Sequence, residues 1–340
     1  MPVEDALTSP LRWVVTGLGD IALRRVLPAI QSDPRSTLYG VVTRDPVKGR
    51  LHAPRVWTSL DDSLADPGVD AVYVATPVAL HAPLSIAALR AGRHVLCEKP
   101  MAMNYPEALA MVGEARRARG RFGVAYYRRF YPKILRAREL IRSGAIGRPV
   151  LAELWCHNWF AAEDGFRSWL VDPALAGGGP LYDIASHRID LLNFLFGEPR
   201  RVSAQLSNTV HRYAVEDAAT LLIEYDAGVR GLCDVRWHSR VHRDECRIIG
   251  ADGALDLAPL NDPRVVTPAR VEDLPLPENP HLPLIANFVA AALDGAELVS
   301  SGETALLTDA VTAAAIESSR ACAPIAPAPP DLPAGFPPGS

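Results

Sequence analysis

The chain has 340 residues and a formal net charge of −4 at pH 7, and its composition is 49% hydrophobic and 22% charged. These values are typical of a globular protein with a substantial core, organised as two domains or one large one. The slight negative charge and the absence of a basic tail argue against a nucleic-acid partner.

The cysteines and the N-terminus favour a cytoplasmic protein. The five cysteines are widely spaced and form no C-x-x-C motif, which suits a reducing compartment and offers no disulfide or zinc framework. The first ten residues, MPVEDALTSP, lack the charged and apolar regions of a secretory signal. No apolar run approaches the ~20 residues that a membrane-spanning helix needs, so we expect no membrane partner.

Strand and helix patterns alternate through residues 1–128. The strand candidates are LRWVVTGLG, STLYGVVT, VDAVYVATP, RHVLC and RFGVAYY. Helix candidates cover residues 20–31, 61–64, 77–91 and 105–119. Such alternation implies parallel pairing with right-handed crossovers. The pattern therefore predicts a doubly wound parallel sheet, the Rossmann arrangement that binds dinucleotides.

A different pattern fills residues 129–320. A helix candidate at 132–143 precedes long strand candidates, several of which alternate apolar and polar residues. These are PVLAELWCHNW, PRRVSAQLSN, DAATLLIEYD, VRGLCDVRWH and DECRIIGADGALDL. With helices at 181–196, 281–293 and 303–320, they predict an α/β domain with a large, mostly antiparallel open sheet. The proline- and alanine-rich residues 321–340 are predicted to be a disordered tail.

The turn after the first strand reads GLGDIA. Gly17 and Gly19 match the G-x-G-x-x-G/A fingerprint, with Ala22 in its third position. Gly17 permits the tight turn, and Gly19 lets the backbone approach a pyrophosphate at the helix N-terminus. A plain strand–helix turn is the alternative. The predicted cofactor-binding residues in this turn are Gly17, Leu18, Gly19, Asp20 and Ile21.

The end of the second strand bears on the choice between NADP and NAD. NAD-preferring sites place an acid here, whereas this strand ends in Thr43 and Arg44, with Asp45 one position later. A hydroxyl and a guanidinium suit a 2′-phosphate. The sequence therefore favours NADP, with NAD as the outcome if Asp45 reaches the ribose.

The third long strand also ends in residues that face the predicted ligand edge of the sheet. Ala75, Thr76 and Pro77 lie where open α/β sheets bind their ligands. His81 follows one turn into the next helix. It either faces the same crevice and contacts the cofactor or is an ordinary surface histidine.

The next strand ends abruptly in Glu98, Lys99 and Pro100. The ordinary interpretation is a polar turn that leaves a sheet. The alternative is a lysine held at the ligand edge over a reacting group, which requires partners elsewhere in the chain.

The stretch GGGPLYDIASH supplies candidate partners for that lysine. Asp183 and His187 are four residues apart, so a regular helix places them on one face. They form a surface salt-bridge pair, part of a metal site with Cys156 and His157, or an acid/base pair. Adjacent strand residues point to opposite faces, which makes the metal site the weaker prediction. Arg188 and Asp190 are predicted to be solvated.

The chain resembles the Gfo/Idh/MocA family of oxidoreductases, which is related to glucose-fructose oxidoreductase and inositol dehydrogenase. The resemblance extends from Trp13 to about Arg320. It rests on GLGDIA, ATPVALHAP, GRHVLCEKPMAMN, YYRRF, SGAIGRP, RSWLVDPALAGGGPLYDIASHRIDLL and SGETALLTDA. It implies a Rossmann domain, a second domain with an open antiparallel sheet, a nicotinamide cofactor, and a homodimer or homotetramer built on that sheet.

The resemblance also implies roles for individual residues. Lys99 matches the lysine that contacts the substrate and the nicotinamide ribose, and Glu98 matches the residue that lines the cofactor beside it. Asp183 matches an acid that positions the substrate, and His187 matches the general acid/base. Two further matches, Arg128 and Trp169, fall where relatives contact cofactor or substrate.

The predicted function is NAD(P)-dependent hydride transfer at a hydroxyl or ketone carbon of a sugar, cyclitol or related polyol. Lys99, Asp183 and His187 are the predicted catalytic residues, and no metal is expected. Two alternatives stay open at this point. One is a relative that cleaves glycosides by transient oxidation with bound NAD, and the other is a non-catalytic regulator that senses the cofactor.

Overall fold

The structure, a computed structural model, describes residues 9–162, 165, 167–226 and 228–329. Its first sheet has six parallel strands in the order β3-β2-β1-β4-β5-β6. They are β1 (Leu11–Thr16), β2 (Ser36–Val42), β3 (Val56–Trp57), β4 (Ala71–Val74), β5 (His94–Cys97) and β6 (Phe122–Val124). This order reverses direction at β1 and β4, which confirms the predicted doubly wound sheet.

Five helices connect these strands. They are α1 (Leu27–Ser32), α2 (Pro46–Arg50), α3 (Leu60–Leu64), α4 (His81–Arg90) and α5 (Tyr105–Arg117). A π-helical turn, Ala22–Val26, leads directly into α1. Pro28 does not end the helix: it is the second residue of α1 and directly follows the π-helical turn, in which the N–H of Leu27 donates to the carbonyl of Ala22. The short elements β3 and α2 carry too little pattern to be predicted from sequence.

The second sheet has eight strands in the order β14-β13-β12-β11-β7-β10-β9-β8. Its strands are β7 (Pro149–Trp159), β8 (Pro199–Ser207), β9 (Ala218–Tyr225), β10 (Arg230–Arg236), β11 (His238–Gly250), β12 (Ala254–Asp256), β13 (Arg264–Val266) and β14 (Val271–Asp273). All neighbours pair antiparallel except β7 and β10, which are parallel. The predicted mostly antiparallel sheet is confirmed.

The helices of the second half are α6 (Pro132–Arg142), α7 (Pro173–Ala176), α8 (Ser186–Phe196), α9 (Leu282–Asp294) and α10 (Gly302–Ala321). One face of the sheet is buried: Ala152 and Leu154 on β7 share a core with Ile189 and Leu192 on α8. The alternate residues of β7 point to the opposite face, which includes Trp159, 39% exposed. No helix in the described ranges is both long and apolar enough to cross a membrane.

Helix α9 packs with the first sheet although it follows the second in sequence. Phe288 lies 5.2 Å from Trp13 of β1 between ring centroids, and both belong to one buried cluster. A bridge between Gly123 and Ser301 adds a second contact between the halves. The boundary near residue 128 stays a prediction, because the chain crosses between the halves more than once.

The predicted tail is partly described. Ile325 pairs with Val202 of β8, so this segment follows the sheet instead of leaving it, contrary to the expectation of disorder. Residues 330–340 lie outside the described part of the chain.

Candidate active site

The glycine turn has the geometry that the fingerprint predicts. Gly17 has φ +91°, and a Cβ atom added there would lie 2.4 Å from the carbonyl oxygen of Ala75. The Gly17 N–H donates to the carbonyl of Val42 at 3.0 Å. A side chain is therefore excluded both by the backbone angle and by the adjacent strand end.

The surroundings of Gly19 suit a dinucleotide. A Cβ added at Gly19 would meet nothing within 4 Å, so the backbone borders open space at the start of the helix. Thr76, at the end of β4, has a buried hydroxyl with no hydrogen-bond partner in the described part of the chain. An approachable helix N-terminus and an unsatisfied hydroxyl at the same sheet edge fit a pyrophosphate and its ribose.

The end of β2 presents basic side chains, while its acid is engaged elsewhere. Asp45 accepts from the backbone N–H groups of Val47 and Lys48, both at 3.0 Å, and thus caps α2. Arg44 is exposed. The Lys48 ammonium donates to the carbonyl of Leu18 at 2.7 Å. Lys48 therefore lies over the glycine turn, a placement that sequence reasoning missed because it depends on how α2 packs.

His81 is neither on the surface nor free to contact a ligand through its ring nitrogens. It is buried, and Nδ1 and Nε2 lie 2.9 Å from the carbonyl oxygens of Pro100 and Thr76, respectively. Burial lowers the pKa of His81. The structure therefore corrects the prediction for His81: its ring links the segments that follow β4 and β5, which carry Thr76 and Lys99.

The structure joins Lys99 to Asp183 across 84 positions of sequence. The Lys99 Nζ lies 2.8 Å from the backbone carbonyl of Asp183 and 3.2 Å from its Oδ1. Both side chains are about one-sixth exposed, so the pair borders the cleft and is partly shielded from water. The peptide bond between Lys99 and Pro100 is cis.

Asp183 receives a second cation on its other oxygen. Arg167 Nη2 lies 2.6 Å from Oδ2. Burial alone would raise the pKa of the Asp183 carboxyl, but the charges and hydrogen bonds of Lys99 and Arg167 outweigh it and hold that pKa below its usual value. Asp183 is therefore ionised and fixes the direction of the lysine side chain.

Glu98 forms a second polar centre beneath Lys99. Its Oε1 accepts from the Tyr73 hydroxyl at 2.7 Å and lies 3.4 Å from His281 Nε2, and its Oε2 accepts from the backbone N–H of Lys99 at 3.2 Å. Burial would raise the pKa of Glu98, yet His281, Tyr73 and Lys99 together lower it. Tyr73 and His281 were not predicted, since nothing local in either segment indicates a site.

His187 follows Asp183 on a helix that is not regular. Residues Leu181–Ala185 form a π-helical turn in which the N–H of Ser186 donates to the carbonyl of Leu181, and α8 continues from there. Such turns are frequent at functional sites. Asp183 lies within this widened turn and His187 lies just after it, so the prediction that both share one face, which assumed 3.6 residues per turn, stays a prediction.

The His187 imidazole is buried in a cationic environment. Its Nδ1 has no hydrogen-bond partner in the described part of the chain, and its ring lies 5.2 Å from that of Tyr127. Burial, reinforced by the charges of Arg128 and Lys99, lowers the pKa of His187 well below that of a free imidazole. His187 is therefore neutral at neutral pH and can accept a proton.

The structure places Arg128 and Trp169 in different environments, and only Arg128 has polar atoms free for a ligand. Arg128 is buried, its Nη2 donates to Asn261 Oδ1 at 3.3 Å, and its Nε and Nη1 have no partner in the described ranges, so it can bind a ligand. Trp169 lies in the 3-10 turn Ser168–Val171, packed against the core of the second sheet. In that segment it is Arg167 whose side chain reaches Asp183.

Two residues of α8 that were predicted to be solvated are buried, and each forms an ion pair with a residue outside the helix. Asp190 is 1% exposed and accepts from Arg129 Nη2 at 2.5 Å, and Arg188 is 3% exposed and donates to Asp244 at 2.8 Å. The prediction was wrong because the helix is enclosed on all sides, so that each charge inside requires a partner.

The metal alternative finds no support among the described residues. No group of three or more His, Cys, Asp or Glu side chains in those ranges is arranged to hold a metal ion. His157 instead contacts Asp234 at 2.6 Å on one face of the second sheet, while Cys156 packs toward the core on the other.

Comparison with known families agrees with this geometry. A family model described as "Oxidoreductase family, NAD-binding Rossmann fold" matches residues 11–126, and one described as "GFO/IDH/MocA C-terminal domain" matches residues 134–256. The chain belongs to the Gfo/Idh/MocA family of oxidoreductases. It is an enzyme of the NAD(P)-dependent class that acts on CH–OH groups, with a Rossmann domain for the dinucleotide.

Individual relatives of this Gfo/Idh/MocA chain carry oxidoreductase names. The 1,5-anhydro-D-fructose reductase of Ensifer adhaerens is 29% identical over 72% of this chain and 74% of its own length. The trans-1,2-dihydrobenzene-1,2-diol dehydrogenase of Mus musculus is 32% identical over 65% of this chain and 67% of its own length. The crystal structure of aldose-aldose oxidoreductase from Caulobacter crescentus, with glycerol, superposes with a TM-score of 0.85 at 27% identity, covering 93% of this chain and 99% of that one.

Proposed function

We propose that the enzyme transfers hydride reversibly between NADP and a hydroxyl or ketone carbon of a sugar, cyclitol or related polyol. The observation that carries the proposal is the Lys99–Asp183 contact at the open edge of the Rossmann sheet, with His187 one turn further along the same helix. The sugar names of several relatives support this substrate class.

Lys99 and Asp183 act on the reacting oxygen. The bound nicotinamide supplies the hydride acceptor or donor. Asp183 holds the Lys99 ammonium by its carboxylate and its carbonyl, so that the remaining N–H of Lys99 is available to an incoming hydroxyl. A fixed positive charge there stabilises the negative charge that develops on the substrate oxygen.

His187 handles the proton. As a neutral imidazole it accepts the hydroxyl proton during oxidation and returns it during reduction. The positive charges around it favour the proton's departure after each oxidation, because they destabilise the imidazolium form.

The cofactor preference follows from the end of β2. In a Rossmann site the end of the second strand borders the adenosine ribose, so Arg44 and Lys48 would hold a 2′-phosphate there, while Asp45 caps α2. A 2′-phosphate would be matched by two cations, and a ribose diol would find no free acid at this position. This arrangement supports NADP over NAD.

The exposed face of the second sheet supports a homo-oligomer as a further part of the proposal. Trp155 and Trp159 on this face are covered by the guanidinium groups of Arg243 and Arg240 at 4.4 and 4.0 Å. Aromatic and arginine side chains are enriched in interfaces. We take the partner to be a second copy of the chain, which gives a homodimer or homotetramer.

The test is a panel of polyols and keto-sugars followed at the NAD(P)H absorbance band, with NADP and NAD in parallel. Lys99→Met should lower kcat with the best substrate by about a hundredfold or more, because the developing oxyanion loses its cation. NADP affinity should change little. Normal turnover by Lys99→Met would overturn the assignment.

A further inference from the structure

We propose that a cavity beside the catalytic cleft binds the non-reacting ring of an extended substrate, so that the enzyme prefers a disaccharide to a free monosaccharide. This inference rests on the proposed function, which it deepens by naming the form of the sugar. Its lining includes Ile21, the last of the predicted cofactor-binding residues in the glycine turn, so the cavity adjoins the dinucleotide-binding edge.

The cavity has a volume of about 300 Å³ and is built by both halves of the chain. Ile21 and Arg25 come from the first helix, Tyr127 and Tyr131 follow β6, and Leu276 and Pro277 come from the segment before α9. This volume is at the lower end of the range for ligand pockets. It therefore has room for one additional ring and not for a longer chain.

The cavity shares its inner wall with the catalytic residues. The ring of Tyr127 lies 4.8 Å from that of His281 and 5.2 Å from that of His187, measured between centroids. His281 Nε2 in turn lies 3.4 Å from Glu98 Oε1. Only the ring of Tyr127 separates a group bound in the cavity from His187. This is the separation expected for a substituent on the sugar ring that reacts at His187.

The lining suits a pyranose ring, which has apolar faces and polar edges. The Tyr127 and Tyr131 rings are 5.9 Å apart and tilted by 54°, which forms an aromatic corner, and Leu276 and Pro277 complete the apolar surface. Three polar residues also line the cavity, and all three are exposed: Arg25, Asn261 and Glu278. Their side chains offer donors and acceptors to the hydroxyl groups of a pyranose ring.

Unsatisfied donors nearby support the same conclusion. Nδ1 of His281, which lines the cavity, and Nε and Nη1 of Arg128, which lies behind Tyr127 and outside the lining, are buried and have no hydrogen-bond partner in the described ranges. Arg128 is fixed by its contact with Asn261 and lies 4.9 Å from the Tyr127 ring. Buried polar groups in folded proteins almost always have partners, and hydroxyls of a second ring would supply them.

The experiment compares matched sugar pairs: glucose with cellobiose, galactose with lactose, and xylose with xylobiose. We expect wild-type kcat/KM to be about tenfold or more higher for the disaccharide of the productive pair, since a filled ring site adds transition-state binding. Leu276→Trp, which fills the cavity, should reduce this preference about tenfold. Pro275→Trp, one residue away and not part of the lining, should leave the preference unchanged.

The outcomes separate the two proposals. Equal kcat/KM values for both sugars of every pair, or a preference that Leu276→Trp does not alter, would overturn the cavity assignment while leaving the proposed function intact. If Leu276→Trp raises the KM for NADP and leaves the sugar preference unchanged, the cavity belongs to the cofactor and the assignment to a sugar ring is wrong. Wild-type enzyme that binds NADP but oxidises and reduces no sugar would remove the proposed function itself.

A second substitution guards against misfolding of the tryptophan variant. Pro277→Trp narrows the same cavity from an adjacent, partly exposed position and should have the same effect on the preference. Circular dichroism and thermal melts identify variants that are folded and comparable with the wild type. If both folded variants keep the wild-type preference, the inference is wrong.

Discussion

His187 combines deep burial with a strongly cationic surrounding, and this fixes the direction of its pH dependence. Its pKa is lowered, so the neutral form persists from neutral pH down to well below the ordinary imidazole range. Oxidation uses the neutral form, so kcat/KM for oxidation should be flat around neutrality and fall only at acid pH. Reduction uses the protonated form and should decline as pH rises through the lowered pKa.

His187→Asn tests this assignment at the level of the residue. It should lower kcat for oxidation by about a hundred- to ten-thousandfold and abolish the acid limb of the pH profile, because proton transfer loses its acceptor. Binding of NADP, measured by fluorescence titration, serves as the control and should be retained. An acid limb that persists in His187→Asn would assign that titration to another group.

Lys48, which contacts the carbonyl of Leu18 in the glycine turn, is the residue on which we test the proposed preference for NADP. Lys48→Gln should raise the Kd for NADP by about tenfold or more, because a charge-assisted hydrogen bond to a phosphate contributes about 1.5–3 kcal/mol. The Kd for NAD should change much less. Arg50→Gln, on the same helix and exposed, is the matched control. Equal losses for NAD and NADP would show that Lys48 only supports the Leu18 carbonyl.

At the scale of elements, the Arg129–Asp190 pair ties together parts of the chain that are far apart in sequence. Arg129 follows β6 and donates to Asp190 on α8, to the carbonyl of Val299 and to Thr304 on α10. The pair is almost completely buried. Its role is to hold the helix that carries His187 against the Rossmann domain.

Arg129→Met should therefore destabilise the protein by about 3–5 kcal/mol in urea unfolding, because it leaves Asp190 buried without a counter-charge. Adding Asp190→Leu should recover part of this loss, since the uncompensated charge is then removed as well. Arg90→Met, which breaks the exposed pair with Glu114, should cost about 1 kcal/mol or less. A similar cost for Arg90→Met and Arg129→Met would contradict this account.

Contacts between elements also explain why the helical segment that leads into α8 is irregular. The π-helical turn at Leu181–Ala185 lies where Lys99 reaches the backbone carbonyl of Asp183. A carbonyl that accepts from a side chain is less available to the helix, which fits the wider hydrogen-bond pattern there. Sequence alone gives an ordinary helix, because the perturbing lysine comes from another domain.

At the scale of the whole molecule, the exposed face of the second sheet is the proposed contact between copies. Trp159→Glu should shift the protein toward monomer in light scattering coupled to size exclusion, because a charge replaces an aromatic group within the proposed contact. Leu51→Glu, an equally apolar exposed position on the Rossmann domain, is the control. An unchanged mass for Trp159→Glu would place the interface elsewhere or show a monomer.

The sequence by itself determined the sheet classes and the glycine turn. These depend on short-range patterns: alternation of strands and helices, period-two strands, and glycines where only glycine fits. Lys99, Asp183 and His187 could be named together because the family resemblance connects EKP with GGGPLYDIASH, and the structure then brings Lys99 and Asp183 into contact.

Only the tertiary structure decided which further residues contact the glycine turn and the predicted catalytic residues. Three such residues come from segments without a local signal: Lys48 over Leu18, and Tyr73 and His281 around Glu98. Arg167 begins a motif of the family resemblance, but only the structure shows that it contacts Asp183. The burial of His81 and Asp190 is equally invisible to sequence periodicity. The physical reason is that burial and charge pairing are set by which elements pack together, and that packing involves residues tens to hundreds of positions apart.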